Sequence, residues 1–237
     1  MNRHQDELNL YKANPTTGEC NLLIKENANK YVKEEAMGGI RVMNDYILFP
    51  SDRDGHMHLY LYNIDGRFIR QIEKGKYDVD EVYGFDETTG KTYFQAAAKT
   101  PMQREIYVAD KNGKVICLTT KDGWNSAVFS GDYKYFLNNW SDRNSPYSYA
   151  IYNNKGHIVR EVLNNDALIK DMAKYDLPTR DFFKFTTSEG VQLNGWIVKP
   201  KNFDPNKKYP VIFYQYSGPG SQQVVDRWTL GAMGAGG

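Results

Sequence analysis

The stretch "VIFYQYSGPGSQ", residues 211–222, decides how the rest of the chain is read. An apolar run of strand-forming residues climbs to Tyr216 and breaks at once into Ser-Gly-Pro-Gly-Ser. A half-solvated antiparallel strand alternates apolar with polar, whereas a strand covered on both faces reads as a continuous apolar run. The run therefore predicts a buried strand over 209–216 that delivers a short loop from its carboxyl end. The polar loop "KNFDPNKK" precedes it. Before that, "DFFKFTT", the turn "SEG" and "VQLNGWIVKP" read as a two-stranded hairpin.

Upstream, the chain repeats itself. "LNLYKANPTTGE", "LYLYNIDGR", "IYVADKNGK" and "YAIYNNKGH" each run from an apolar strand into a polar turn, with glycines at Gly18, Gly66, Gly113 and Gly156, about 43 to 48 residues apart. A second series, "DYILFPSD", "KTYFQAAA" and "KYFLNNWSD", precedes the last three at a similar offset. A period near 45 residues with about four short strands per unit predicts β-propeller blades, each needing neighbours to bury its faces. Residues 39–163 are expected as three blades and residues 7–25 as the end of another. Three blades and a part cannot close a ring, so the chain is expected to begin inside a propeller. Unrelated hairpins of a β-sandwich are the competing reading. In "NNDALIKDMAKYDLP" an Asn or Asp stands where a helix takes its N-cap, Leu168, Ile169, Met172 and Ala173 follow, and Pro178 stops the run. A short linker helix is expected there.

Bulk properties exclude several classes. Among 237 residues, 30 basic and 29 acidic side chains leave a net charge of +1, which offers no polyanion-binding face and argues against nucleic acid as a partner. The longest apolar runs, "YILF" and "VIFY", fall far below the roughly 18 residues a spanning helix needs. The first residues, "MNRHQDELNLYKAN", lack the apolar core of a secretory signal. Cys20 and Cys117 are too few and too separated for a disulfide framework or zinc site, and are expected free or buried.

The whole chain resembles the dipeptidyl peptidase IV branch of the prolyl oligopeptidase family, serine peptidases with an N-terminal β-propeller and a C-terminal α/β-hydrolase domain. "KKYPVIFYQYSGPGSQ" carries the resemblance most specifically. "MNRHQDELNLYKANPTTGE", "SDRDGHMHLYLYN" and "LNNDALIKDM" support it. The resemblance implies a mainly β fold. The last blades of a propeller would occupy 1–163 and a linker helix 164–180. The first strands of an α/β-hydrolase domain would follow over 181–237.

In α/β-hydrolases, loops at the carboxyl ends of the strands build the oxyanion hole. The resemblance assigns Tyr216 as a donor to the developing oxyanion, with Ser217, Gly218 and Pro219 shaping its loop. It also implies a full-length serine peptidase that releases X-Pro or X-Ala dipeptides from peptide N-termini. No cofactor or metal is implied, and the enzyme would be a homodimer in a periplasmic or secreted location. An acylaminoacyl peptidase or oligopeptidase relative is the rival within the class. A propeller-bearing binding protein with a non-catalytic hydrolase domain is the rival outside it.

No Gly-x-Ser-x-Gly elbow occurs in the chain, so the triad Ser, Asp and His are expected downstream and this piece is expected to be inactive alone. Without neighbours, the 209–216 strand is expected to self-associate or to repack on the blades. The four histidines, His4, His56, His58 and His157, lie in the repeat region. His56 and His58 could form a metal pair, but a bland pair of blade side chains is the better reading without a third ligand. Glu34 and Glu35 in "KEEAMGG" do not match the surroundings of the family's amine-binding glutamates and read as a solvated turn.

Overall fold

The computed structural model describes residues 1–33, 35–175, 177–216, 218 and 220–228. It opens with an antiparallel pair, β1 (Glu7–Ala13) and β2 (Cys20–Asn27), followed by a single helical turn, α1 (Glu35–Gly38). Three four-stranded antiparallel sheets come next, each joined strand to strand in chain order. The first holds β3 (Arg41–Val42), β4 (Tyr46–Ser51), β5 (His58–Asn63) and β6 (Phe68–Gln71). The second holds β7 (Val79–Asp86), β8 (Lys91–Ala96), β9 (Glu105–Ala109) and β10 (Val115–Cys117). The third holds β11 (Trp124–Phe129), β12 (Tyr135–Ser141), β13 (Ser148–Asn153) and β14 (Ile158–Leu163). The helix α2 (Asp166–Met172) and the hairpin of β15 (Arg180–Thr186) with β16 (Gln192–Val198) complete the described elements. The fold is mainly β, and its four-stranded sheets have the form of propeller blades.

The sheets stack face to face, and the alternation of side chains along each strand builds the contacts. On β4 and β5, Ile47, Phe49, Tyr60 and Tyr62 join Leu8 and Ile24 of the preceding pair. The opposite faces send Leu48, Leu59 and Leu61 against Phe94, Ala96, Tyr107 and Ala109 of the second sheet. That sheet's other face sends Tyr93, Ile106 and Val108 against Phe136 and Tyr152 of the third. Residues i and i+2 share a face, so a strand between two sheets needs apolar residues at every position. This explains why apolar residues fall on both faces at Ile47–Phe49, Leu59–Tyr62, Tyr93–Phe94 and Ile106–Ala109 although these strands are antiparallel, with polar side chains such as Thr92, Gln95 and Glu105 buried among them. Phe94 and Ile106 have no exposed surface. Each such side chain stabilises the stack by about 1.5–3 kcal/mol relative to exposure.

The repeated glycines acquire a second role in the stack. Gly66, at φ +82°, closes the β5–β6 turn, and an added Cβ there would lie 2.3 Å from the Leu23 carbonyl oxygen of β2. Gly156 at the β13–β14 turn would likewise place a Cβ 2.7 Å from the carbonyl oxygen of Leu118. Each turn thus docks backbone to backbone on the sheet before it.

Two sequence expectations are corrected. Residues 209–216 form no strand, and Val211, Ile212 and Phe213 are exposed, the last two at 93% and 91%. The apolar signature has no physical effect without covering layers, and no described strand pairs with this segment. Nor does the run repack on the blades. At α2, Asn165 stands at the N-cap in a left-handed conformation without a side-chain cap bond, and its Nδ2 donates to the Tyr147 carbonyl. Leu168 and Ile169 are exposed. Cys20 and Cys117 are both free and exposed.

Candidate active site

Tyr216 ends the apolar run outside any described strand and is 63% exposed. Its ring folds over Gly218, where an added Cβ would meet the phenol oxygen at 2.8 Å and two ring carbons at 2.9 Å. Only a residue without a side chain allows that approach. Ser217 and Pro219, the other residues expected in this loop, lie outside the described residues, as does Glu34.

Six residues beyond Tyr216 the chain becomes firmly bonded to the sheets. Gln222 Oε1 accepts from Arg104 Nη2 at 2.9 Å, and its Nε2 donates to the Pro101 carbonyl. Arg104 is itself buried, paired with Asp80 and stacked 4.7 Å over the Trp124 ring. Burial pushes the Asp80 carboxyl up from the ordinary carboxylate value, against the opposing pull of Arg104.

Asp226 is only 4% exposed. Its carboxylate accepts from Gln103 Nε2 at 2.9 Å, from the Arg143 backbone N–H at 3.0 Å and from Arg143 Nη1 at 3.3 Å. Its own N–H donates to the Met102 carbonyl at 2.8 Å. The Trp228 N–H donates to Ser141 Oγ at 3.1 Å, and Tyr147 donates to the Trp228 carbonyl at 3.0 Å. The sequence reading missed all of these residues. One faint signal was available: Ser51-Asp52-Arg53 and Ser141-Asp142-Arg143 span the ends of the second strands of their sheets, a repeat that marks Arg143.

The candidate metal pair dissolves in the structure. His58 belongs to β5 and is fully engaged: Nδ1 lies 2.8 Å from the Glu73 carboxylate and Nε2 lies 3.1 Å from the Gly75 carbonyl. The His56 ring stands 6.2 Å away. Among the described residues, no group of three or more His, Cys, Asp or Glu side chains could hold a metal ion. Two clefts of about 330 and 280 Å³ run along the first strands of the sheets and share Arg41, Glu81 and Val82. Neither is lined by Tyr216. Among the described residues no helix is long and apolar enough to cross a membrane.

Comparisons with known proteins bear on these features. Residues 1–147 match the family model described as the dipeptidyl peptidase IV (DPP IV) N-terminal region. A dipeptidyl peptidase 4 of Arthroderma otae is 33% identical over 189 residues, covering 78% of this chain and 24% of the relative. A probable dipeptidyl peptidase 4 of Emericella nidulans is 27% identical over 241 residues, covering 96% of this chain and 31% of its own. The crystal structure of Porphyromonas gingivalis dipeptidyl peptidase 4 superimposes with a TM-score of 0.92 at 33% identity, over 97% of this chain and 33% of that one. The chain thus spans about a quarter to a third of the length of the relatives it matches. With its blade-like sheets and a family model that matches more than half its length, the chain belongs to the dipeptidyl peptidase IV family.

Proposed function

We propose that this chain is part of a serine exopeptidase that removes X-Pro or X-Ala dipeptides from peptide N-termini, and that Tyr216 is a donor of its oxyanion hole. In this reading residues 1–163 are the last blades of a propeller, 164–180 the linker and 181–237 the start of an α/β-hydrolase domain. The full-length protein acts as a homodimer in a periplasmic or secreted setting.

The observation that carries the reading is the Tyr216 phenol. It stands open to solvent over Gly218, in the Tyr-x-Gly-Pro-x-Ser-Gln loop, just before a segment bonded to the sheets. A neutral phenol suits an oxyanion. It donates without a charge that would bind the ground state strongly, and a fixed donor of this kind contributes on the order of 3 kcal/mol to the transition state. The Ser nucleophile and its His base are supplied by other parts of the full-length protein, so this chain alone is without peptidase activity. The chain's own contributions are the donor, the glycine that lets its ring settle, and the blades that wall the site.

The test is hydrolysis by the full-length protein of a Gly-Pro chromogenic substrate with a free amine, beside its N-acetylated counterpart. Cleavage of the free form alone, abolished by a serine-directed phosphonate, is the expected result. Cleavage of the acetylated form alone supports an acylaminoacyl peptidase or oligopeptidase instead. Cleavage of neither supports a binding module.

A further inference from the structure

The segment after Tyr216 is far more strongly bonded than a surface tail requires. Asp226 brings a buried carboxylate to two loops at once: the β8–β9 loop through Met102 and Gln103, and the β12–β13 loop through Arg143. These are the same second-to-third-strand connection in two consecutive sheets, so both loops open on one side of the stack. A buried carboxylate is tolerated only with charge-assisted partners in place, and leaving one unpaired is strongly unfavourable. Arg143 is held in turn, with Nε donating to the Arg180 carbonyl at 3.1 Å and its guanidinium 4.7 Å over Phe182. At the same place after the second strand of the first sheet, Arg53 pairs instead with Glu26 of the neighbouring β2. The repeat supplies an arginine that elsewhere joins sheet to sheet, and the third sheet turns it toward Asp226.

Gln222 forms the second fastening. It is tied to Arg104, which the Asp80 pair and the Trp124 ring fix against the sheets. Between Tyr216 and Gln222 lie six residue steps, which unrestrained could span about 20 Å. An oxyanion donor must be held within roughly 0.5 Å of its working position, and rigid elements hold such positions better than loops do.

We infer that Gln222 and Asp226 are positioning residues for Tyr216, fastening the downstream end of its loop to two blade loops so that the sheets set where the phenol stands. This inference rests on the reading of Tyr216 as an oxyanion donor. It assigns the blades a part in transition-state stabilisation in addition to enclosing the substrate.

The experiment is a set of double-variant cycles in the full-length enzyme, with kcat and KM measured on the Gly-Pro chromogenic substrate. Gln222→Leu and Asp226→Asn are each made alone and combined with Tyr216→Phe. The expected result is a fall in kcat of about 10-fold for each single variant with KM within about twofold, and no further fall when either is added to Tyr216→Phe. A role confined to folding lowers kcat by the same factor whether or not the phenol is present, and that outcome overturns the inference. An unchanged kcat in Gln222→Leu also overturns it. Gln222 is an exposed side chain, so that variant carries the test if Asp226→Asn does not fold. If Tyr216→Phe itself keeps the wild-type rate, the oxyanion reading fails and the inference falls with it. A slow Tyr216→Phe with additive double variants removes the inference alone.

Discussion

The His58 imidazole and the Glu73 carboxylate form a fully buried pair, with Nδ1 2.8 Å from Oε2 and side-chain exposures of 1% and 0%. The second ring nitrogen faces the Gly75 carbonyl, so both nitrogens point at acceptors. A neutral imidazole has only one N–H, whereas the imidazolium donates from both nitrogens. Burial alone pushes the His58 pKa down. The hydrogen bond and charge of Glu73, with Asp54 nearby, outweigh it and raise the pKa above 6.5.

The sign of the pH dependence follows. A raised folded-state pKa contributes stability that is complete below the unfolded value near 6.5 and is lost as pH rises through the folded value. Urea unfolding of the full-length protein is expected to show falling stability as pH increases from about 6.5 upward. Glu73→Gln should remove most of that slope and cost about 3 kcal/mol at pH 6. Parallel pH profiles for wild type and variant would exclude the pair as their source.

Tyr216→Phe keeps the ring and deletes only the donor. If Tyr216 donates to the oxyanion as proposed, the change should lower kcat of the full-length protein by about 10²-fold while KM changes little, because such a bond is made mainly in the transition state. Steady-state kinetics on the Gly-Pro substrate decide it. A variant with near wild-type kcat removes Tyr216 from the chemistry.

Gly218→Ala tests the same site from beneath. Its Cβ would stand 2.8 Å from the phenol oxygen, so the ring must move. The loop is exposed, and the melting temperature should stay within about 2 °C of wild type, while kcat falls by at least about 10-fold. An alanine variant with full activity shows that the ring does not need to lie over residue 218 during turnover.

Gly66 and Gly18 separate backbone conformation from docking. Both have positive φ, +82° and +74°, but an added Cβ at Gly66 strikes the Leu23 carbonyl while Gly18 has nothing within 4 Å. Gly18→Ala should cost about 1 kcal/mol, the left-handed conformation alone. Gly66→Ala should cost about 3 kcal/mol or more, since the sheet interface must open as well. Chemical denaturation measures both, and equal costs would mean that the turn does not bear on its neighbour.

The sequence by itself determined the periodic part of this protein. Turn glycines about 45 residues apart and two series of apolar strands located the second and third strands of each four-stranded sheet, because a repeated unit must present the same faces to each neighbour. The hairpin after the helix was legible for the same local reason: Gly190 at the turn, flanked by apolar runs. The motif on which the proposed role of Tyr216 rests is likewise contiguous in sequence. Tertiary structure decided what contiguity does not encode. A continuous apolar run denotes burial on both faces, and antiparallel strands stacked between sheets meet that condition as well as a covered parallel strand does. The same pattern is therefore buried in β4 and β8 and exposed at Ile212 and Phe213. Asp226 carried no local signal, and Gln222 stood in the quoted motif without any sign of its partner, since their partners at Gln103, Arg104 and Arg143 are about 80 to 120 residues away. Only the stacking of the second and third sheets brings those loops together, and a polar side chain gains its role from the partners that desolvation forces upon it.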